Sequence, residues 1–187
     1  MRSSLRTTLP AIAMLATLAV GAEAQHAQHA STLTADLRED IEQVEKKMLD
    51  LARAIPEDKF GWRPGAGVRS VGEVVMHVAA DNYLIPAAIG FPADPATGIK
   101  GDDYKTAVAF EKRTANKAAA IAELEKSFAF VKKSLDASSG KLAQPVSMFG
   151  MNHTSQKAWI MATTHLHEHL GQLIAYARSN GIAPPWS

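Results

Sequence analysis

Two histidines near the carboxyl end of the chain, His165 and His169, stand four residues apart. On an α-helix this spacing places both imidazoles on one face, one turn apart, so that both can reach one metal ion. His167 lies between them and points about 160 to 200° away on a helix of 3.6 residues per turn. We therefore expect His165 and His169 to be metal ligands and His167 to be a surface residue.

Spacing alone is weak evidence for a metal site, because helices also carry such histidine pairs by chance. The flanking residues strengthen the hypothesis, since both imidazoles border an apolar stripe on the helical wheel and have small or polar neighbours. The stripe contains Trp159, Leu166, Leu170, Leu173 and Ala177, and the neighbours are Ala158, Ala162, Gln172 and Tyr176. This pattern favours a pocket over a solvated face, with Gln172 as a candidate donor and Tyr176 as part of the wall.

A third histidine, His77, lies in another helical pattern, which opens with a capping box formed by Ser70 and Glu73. A lone histidine on such a face is usually a packed core residue. Here Glu73 and Asp81 flank His77 four residues away on either side. Either carboxylate could orient the imidazole, join a metal or serve as a catalytic base. We place the orienting role first, because helical neighbours at this spacing reach an imidazole more easily than they reach an ion.

Four helical patterns carry these residues, and Gly- and Pro-rich segments separate them. The predicted helices run from a cap at Ser31 or Thr34 to Ile55, from Ser70 to about Pro86, from Tyr104 or Thr106 to Ala137, and from a cap at Asn152 or Thr154 to about Asn180. The intervening Phe91–Asp103 and Gln144–Asn152 are interpreted as loops, and no segment is a convincing strand. The pattern predicts an all-α protein, a four-helix bundle.

The composition excludes several classes of function. The chain has 187 residues, a net charge of +1 and no cysteine. Its length fits one domain. Basic residues are not clustered, so nucleic acid is not expected as a partner. Without cysteine there can be no disulfide, thiolate ligand or cysteine nucleophile. A small-molecule substrate and a homodimer both stay open as partners.

The first 24 residues are predicted to be a secretory signal peptide. Arg2 and Arg6 precede a short apolar run, and Ala22–Ala24 forms a small-x-small cleavage signal. The apolar run is too short for a transmembrane helix, so no membrane association is expected after cleavage behind Ala24. We expect residues 25–32 to be a flexible amino terminus, residues 33–187 to form the domain, and the protein to be periplasmic or secreted.

Several motifs, in this order, resemble the DinB-like (DinB/YfiT-like) family of bacterial metal-binding bundles over roughly Leu33 to Ser187. They are the loop Trp62-Arg63-Pro64 leading through Val68-Arg69-Ser70 to His77, the run His165 to Gln172, and the tail Asn180–Ser187. The resemblance implies an up-up-down-down bundle with a long crossover. It also implies a divalent ion (zinc, nickel, iron or manganese) held by His77, His165 and His169.

Relatives in this family include transferases that use low-molecular-weight thiols, and isomerases. One departure from the family pattern bears on this activity, because Leu170 stands where many members have arginine before the Gly-Gln pair. An anionic thiol cofactor would lose a contact there, and such thiols are mainly cytoplasmic.

Three functional hypotheses follow from the sequence. The first is an exported metal-dependent hydrolase or thiol-dependent transferase acting on an unknown small substrate, with Glu73 and Asp81 as candidate catalytic residues. The second is a non-catalytic periplasmic bundle that binds a metal or a ligand. The third is a plain bundle whose histidines pack without metal.

Overall fold

The computed structural model describes the backbone of residues 11–113 and 116–187, and it describes side chains almost continuously from residue 32 onward. The predicted signal peptide, residues 1–24, lies outside the residues whose side chains are described. No helix in the described part of the chain is both long and apolar enough to cross a membrane.

Residues 11–113 and 116–187 contain five α-helices and one hairpin. The helices are α1 (Ala11–Ala54), α2 (Val71–Ala88), α3 (Tyr104–Glu111), α4 (Lys117–Ala137) and α5 (Ser155–Ser179), and the strands are β1 (Pro145–Met148) and β2 (Met151–Thr154). The helix α1 begins before the predicted cap at Ser31 or Thr34 and includes residues 25–32, where the sequence predicts a flexible segment. The domain boundary at Leu33 stays a prediction.

Side-chain caps explain three of the helix starts. Ser70 and Glu73 form the predicted capping box at the start of α2. Thr154, rather than Asn152, caps α5 by accepting a hydrogen bond from the Lys157 backbone N–H. The predicted single helix from Tyr104 to Ala137 is wrong, because Asn116 caps a separate helix, α4, and ends the continuity with α3.

The relative directions of the helices follow from pairs of contacting residues. Helices α1 and α4 are antiparallel, because residue numbers increase along α1 while those of the ion-pair partners decrease along α4. The pairs are Arg38–Asp136, Glu45–Lys132 and Arg53–Glu125. His77 likewise lies beside His169 while Asp81 lies beside His165, so α2 and α5 are also antiparallel. Helices α1 and α5 run the same way.

In chain order the four long helices therefore run up, down, down and up, which corrects the up-up-down-down order that the resemblance implies. The physical reason is the short connection after α1. Val71 N–H donates to the Trp62 carbonyl and Gly72 N–H to the Phe60 carbonyl, and these bonds return the chain beside α1. The long crossover is confirmed: it joins the parallel helices α2 and α4 through residues 89–116 and includes α3.

The four-helix bundle itself is confirmed, with α1 and α2 each packing against both α4 and α5. Its core consists of large apolar side chains from all four helices, including Ile41, Met48, Leu84, Leu124, Phe128, Trp159 and Leu173. Burial of such side chains supplies the main driving force for folding. The histidines of α2 and α5 therefore occupy a rigid interface between two packed helices.

A two-stranded antiparallel hairpin lies between α4 and α5, where the sequence predicts a loop. Met148 pairs with Met151, which leaves only Phe149 and Gly150 in the turn. Both have positive φ, 53° and 76°, as a type I′ turn requires. Such turns usually carry Asn-Gly or Asp-Gly. Here phenylalanine, which is uncommon in this conformation, takes the first position, so the sequence lacks the usual signal of a hairpin.

Candidate metal centre

Helices α2 and α5 bring the three predicted ligands together. His77, His165 and His169 each offer a ring nitrogen, and these three atoms all lie within 4.8 Å of one another. The Nε2 atoms of His165 and His169 are 2.9 Å apart. The expectation that one helical pair and one residue of a neighbouring helix would converge is met by the geometry.

Hydrogen bonds to Nδ1 orient two of the imidazoles. His77 Nδ1 lies 2.6 Å from a carboxylate oxygen of Glu111, and His169 Nδ1 lies 2.8 Å from the amide oxygen of Gln172. Both partners are acceptors, so in each ring Nδ1 carries the proton and Nε2 keeps its lone pair. This is the arrangement in which a histidine binds a metal through Nε2.

A chain of aromatic and amide contacts supports Gln172. The Gln172 amide N–H donates to the Tyr176 hydroxyl over 2.9 Å, which orients the amide oxygen toward His169. The Tyr176 ring in turn packs edge-on against Trp62, with 5.3 Å between ring centroids. The loop after α1 thus helps to position His169 on α5. Both residues lie near the site, but Gln172 accepts from His169 instead of serving as the expected pocket donor, and Tyr176 contacts Gln172 and Trp62.

Burial changes the ionisation of His169. Burial lowers the pKa of its imidazole to about 4, and the hydrogen bond from Nδ1 to Gln172 opposes this shift. At neutral pH His169 is therefore uncharged. A metal ligand must be in this form, so burial prepares the residue for coordination.

The two candidate carboxylates have different surroundings. Asp81 is buried, and its Oδ2 lies 3.1 Å from His165 Nε2 and 3.5 Å from His77 Nε2. Glu73 instead accepts from the Ser70 backbone N–H and pairs with Arg63, and its described contacts do not include His77. The hydrogen bond from Ser70 lowers the pKa of Glu73. The structure thus places Asp81 at the histidines and Glu73 at the helix cap.

Sequence reasoning missed Glu111, the carboxylate that contacts His77 Nδ1. It lies at the end of α3, 34 residues from His77. The Arg69 guanidinium donates to both of its carboxylate oxygens over 3.2 to 3.5 Å. The Lys- and Glu-containing stretch around it is typical of a solvated face. No local spacing links it to His77, so only the docking of the crossover reveals it.

His167 lies apart from the three histidines, as expected. It is exposed on α5, and its Nε2 lies 2.9 Å from Asp40 of α1. His153 lies on the hairpin, in β2. Neither belongs to the group of converging ring nitrogens.

A cavity of about 680 Å³ opens beside the histidines. Asp81 and His165 form part of its wall, and the remaining lining comes from α2, α5, the crossover and the hairpin turn, including Leu84, Ile85, Met161, Tyr104 and Phe149. Its volume is that of a typical small-molecule site. The candidate metal centre is therefore accessible to a ligand rather than sealed in the core.

Comparison with known proteins identifies the family. The sequence profile of the DinB superfamily matches residues 40–173, which include all three histidines. The chain belongs to the DinB superfamily. A search of curated proteins found no match.

Solved structures of other DinB-like proteins share the fold of this DinB superfamily member. A DinB-like protein from Bacillus cereus is 14% identical, with a TM-score of 0.60 over 76% of this chain and 89% of its own. A DinB-like protein from Bacillus subtilis is 16% identical, with a TM-score of 0.60 over 78% and 92%. YfiT from Bacillus subtilis, described as a probable metal-dependent hydrolase with an unusual four-helix bundle topology, is 14% identical, with a TM-score of 0.59 over 80% and 89%.

The residues of this DinB superfamily site fit a divalent ion. Two Nε2 lone pairs are directed by their Nδ1 partners, and His169 is uncharged. In the part of the chain that the structure describes, Asp81 Oδ1 is buried without a hydrogen-bond partner. A buried carboxylate oxygen normally has a partner, and an ion or a water molecule at the histidines would supply one.

We expect the orienting contact from Glu111 to strengthen metal binding. Glu111→Ala removes the acceptor of His77 Nδ1–H, so affinity for the ion should fall about 10- to 100-fold, as for other orienting partners of metal-binding histidines. Competition titration with a chelating dye measures this. The matched control is Glu123→Ala, which removes a carboxylate that hydrogen-bonds Tyr83. Equal affinities for both variants would contradict the orienting role.

The ion-free protein should lose stability in mild acid because of His169. Its folded pKa of about 4 lies below the ordinary value of 6.5, so the unfolded chain takes up a proton first. The contribution of this group to the free energy of unfolding is complete above pH 6.5, declines as the pH falls towards 4, and is level below that.

Urea unfolding of chelator-treated protein across this range tests the effect. His169→Gln should flatten the pH dependence, whereas His167→Gln, at an exposed position, should preserve it. An unchanged slope in His169→Gln would assign the acid sensitivity to other groups.

Proposed function

We propose that this protein is a metal-dependent hydrolase of a small substrate, with one divalent ion held by His77, His165 and His169. The observation that carries the proposal is the position of Asp81. Its carboxylate lies 3.1 Å from His165 Nε2, and both residues line the 680 Å³ cavity. A ligand set of three histidines, a nearby carboxylate and an open cavity is typical of catalytic rather than structural metal sites.

Each residue has a distinct role in this proposal. A divalent ion supplies Lewis acidity and makes water a nucleophile near neutral pH. Asp81 accepts the proton from the attacking water, because it is the carboxylate beside the ligands. Glu111 and Gln172 hold His77 and His169 in their metal-binding tautomers. Glu73 stabilises the start of α2 and takes no part in proton transfer.

The ligand set narrows the identity of the ion. All-nitrogen coordination favours zinc, nickel, copper or iron over calcium and magnesium. The family resemblance implies zinc, nickel, iron or manganese, so zinc, nickel and iron satisfy both criteria. The description of YfiT as a probable metal-dependent hydrolase supports the same reaction class. Hydrolysis is preferred to thiol transfer because Asp81 stands where a base for water is needed.

The decisive experiment compares the two candidate carboxylates. A hydrolysis screen with esters, amides and lactones on metal-loaded protein should identify a substrate. With that substrate, Asp81→Asn should lower kcat about 100-fold or more, the usual contribution of a general base. Glu73→Gln should keep kcat and lower only the melting temperature, since it disrupts a cap. Normal turnover by metal-loaded Asp81→Asn would exclude Asp81 as the base.

We further propose that the protein is exported and that its mature form begins at Gln25. The support is the basic start, the short apolar run and the Ala22–Ala24 signal. Amino-terminal sequencing of periplasmic protein should read Gln25 first, and Ala24→Asp should block cleavage. Full-length protein in the cytoplasm would exclude export.

A further inference from the structure

The cavity beside the candidate metal centre has a distinctive charge pattern. Its lining includes two carboxylates, from Asp81 at the inner end and Asp102 on the crossover. None of the described residues that line it is lysine or arginine. The remaining lining includes the apolar side chains of Leu84, Ile85, Met161 and Phe149.

The basic side chains around Glu111 line a different cavity. A second cavity, of about 450 Å³, is lined by Arg63, Arg69 and Lys112 together with Glu73 and Glu111. Arg63 and Arg69 are each paired with one of these carboxylates, Glu73 and Glu111 respectively. None of these three basic residues lines the 680 Å³ cavity.

Exposed aromatic side chains border the first cavity. Tyr104, at the start of α3, and Phe149, in the hairpin turn, both line it and are both about half exposed, at 50% and 46%. Exposed large apolar side chains around a concave site commonly mark a ligand-binding surface. Here they come from two separate chain segments and extend the apolar wall outward.

From these observations we propose that the 680 Å³ cavity binds an apolar ligand that carries no negative charge. The inference rests on the proposed function, since it names the substrate class of that site. In the ion-free protein an anionic ligand would meet the carboxylates of Asp81 and Asp102, and no lysine or arginine among the described lining residues would compensate. A divalent ion at the histidines would offset the charge of Asp81, so Asp102 is the carboxylate that repels an anion when the ion is bound. A neutral or cationic ligand avoids this repulsion and keeps the contacts with Leu84, Met161 and Phe149.

Three ligands that differ in charge test whether the cavity disfavours negative charge. The probes are 2-naphthylmethanol, 2-naphthylmethylamine and 2-naphthoate, which share an aromatic body and differ in charge. Binding is measured by calorimetry on protein dialysed against EDTA, so that the carboxylate of naphthoate has no ion to coordinate. The alcohol is also titrated against the protein as isolated. The alcohol and the amine should bind, and naphthoate should bind about tenfold more weakly or worse.

Variants with matched controls locate the effect in the cavity. Asp102→Asn should narrow the difference between naphthoate and the alcohol, whereas Asp58→Asn, an equal charge change at an exposed site outside the cavity lining, should not. Phe149→Gly removes a wall residue at a positive φ that glycine accepts, so it should weaken binding of the alcohol severalfold. Met151→Ala, at an exposed hairpin residue outside the lining, should have little effect.

The outcomes separate this inference from the proposed function, because the measurement is binding rather than turnover. Equal binding of naphthoate and the alcohol, or no binding of any probe, would overturn the inference. If the protein binds the alcohol more tightly than naphthoate but shows no hydrolytic activity, the inference is supported and the proposed hydrolase function is rejected.

Discussion

Purified His77→Ala and His169→Ala proteins should contain almost no divalent metal, whereas His167→Ala should retain one ion per chain. Each of the first two substitutions removes one of three converging ring nitrogens. Because the chain has no cysteine, no thiolate can take the vacant position. The loss of affinity should exceed the roughly 10- to 100-fold expected from removing an orienting partner. Elemental analysis after dialysis against a metal-replete neutral buffer measures the content per chain.

His167→Ala is a close control, because the residue lies on the same helix between two ligands. It removes only an exposed contact with Asp40, so stability should change by about 1 kcal/mol or less. Loss of the ion from His167→Ala with retention in His77→Ala would show that the site is wrongly assigned. Wild-type protein without any ion under these conditions would falsify the metal hypothesis and leave only the hypothesis of a plain bundle whose histidines pack without metal.

The second large effect is expected from Gly101→Ala, in the crossover between α2 and α4. A Cβ at this position would lie 2.3 Å from the Ala87 carbonyl carbon, 2.4 Å from its oxygen and 2.5 Å from the Ala88 nitrogen. These are backbone atoms at the end of α2, so neither side can move without displacing an element. Overpacking of this kind costs about 1 to 3 kcal/mol. In a protein of this size the melting temperature should fall by roughly 3 to 10 °C.

Gly65→Ala is the matched control, because a Cβ at Gly65 would have nothing within 4 Å. It should leave the melting temperature within about 2 °C of wild type. Gly101 also lines the 680 Å³ cavity, so Gly101→Ala should weaken ligand binding as well as folding. Equal melting temperatures for the two variants would show that the crossover is not held closely against α2.

Local patterns in the sequence were sufficient to predict the bundle and the histidine pair on α5, and the family resemblance added His77 to the candidate ligands. His165 and His169 share a helical face by their spacing alone, and the capping box at Ser70 defines the start of the helix that carries His77. These are short-range features, which depend on residues within one or two turns. The divalent metal itself is favoured by the same three residues and by the family that they identify.

Features that depend on distant contacts could not be predicted in this way. Glu111 reaches His77 only because the crossover folds back on α2, and Glu73 has the better spacing but is engaged by Ser70 and Arg63. The hairpin was missed because Phe149 occupies a turn position that usually carries Asn, Asp or Gly. Helix directions depended on the hydrogen bonds of the short connection after α1, which no periodicity reveals.

The hairpin has a consequence for how this protein could diversify. Phe149 and Gly150 border the cavity from a two-residue turn that projects from the four-helix core, and Tyr104 borders it from the crossover. Substitutions, insertions or exchanges at this rim can alter ligand choice while the helices and the histidines stay in place, because surface connections tolerate changes in length at low free-energy cost. The fold thus places the histidines on packed helices and the cavity rim on surface connections, which makes the hairpin the natural segment to randomise when new ligands are sought.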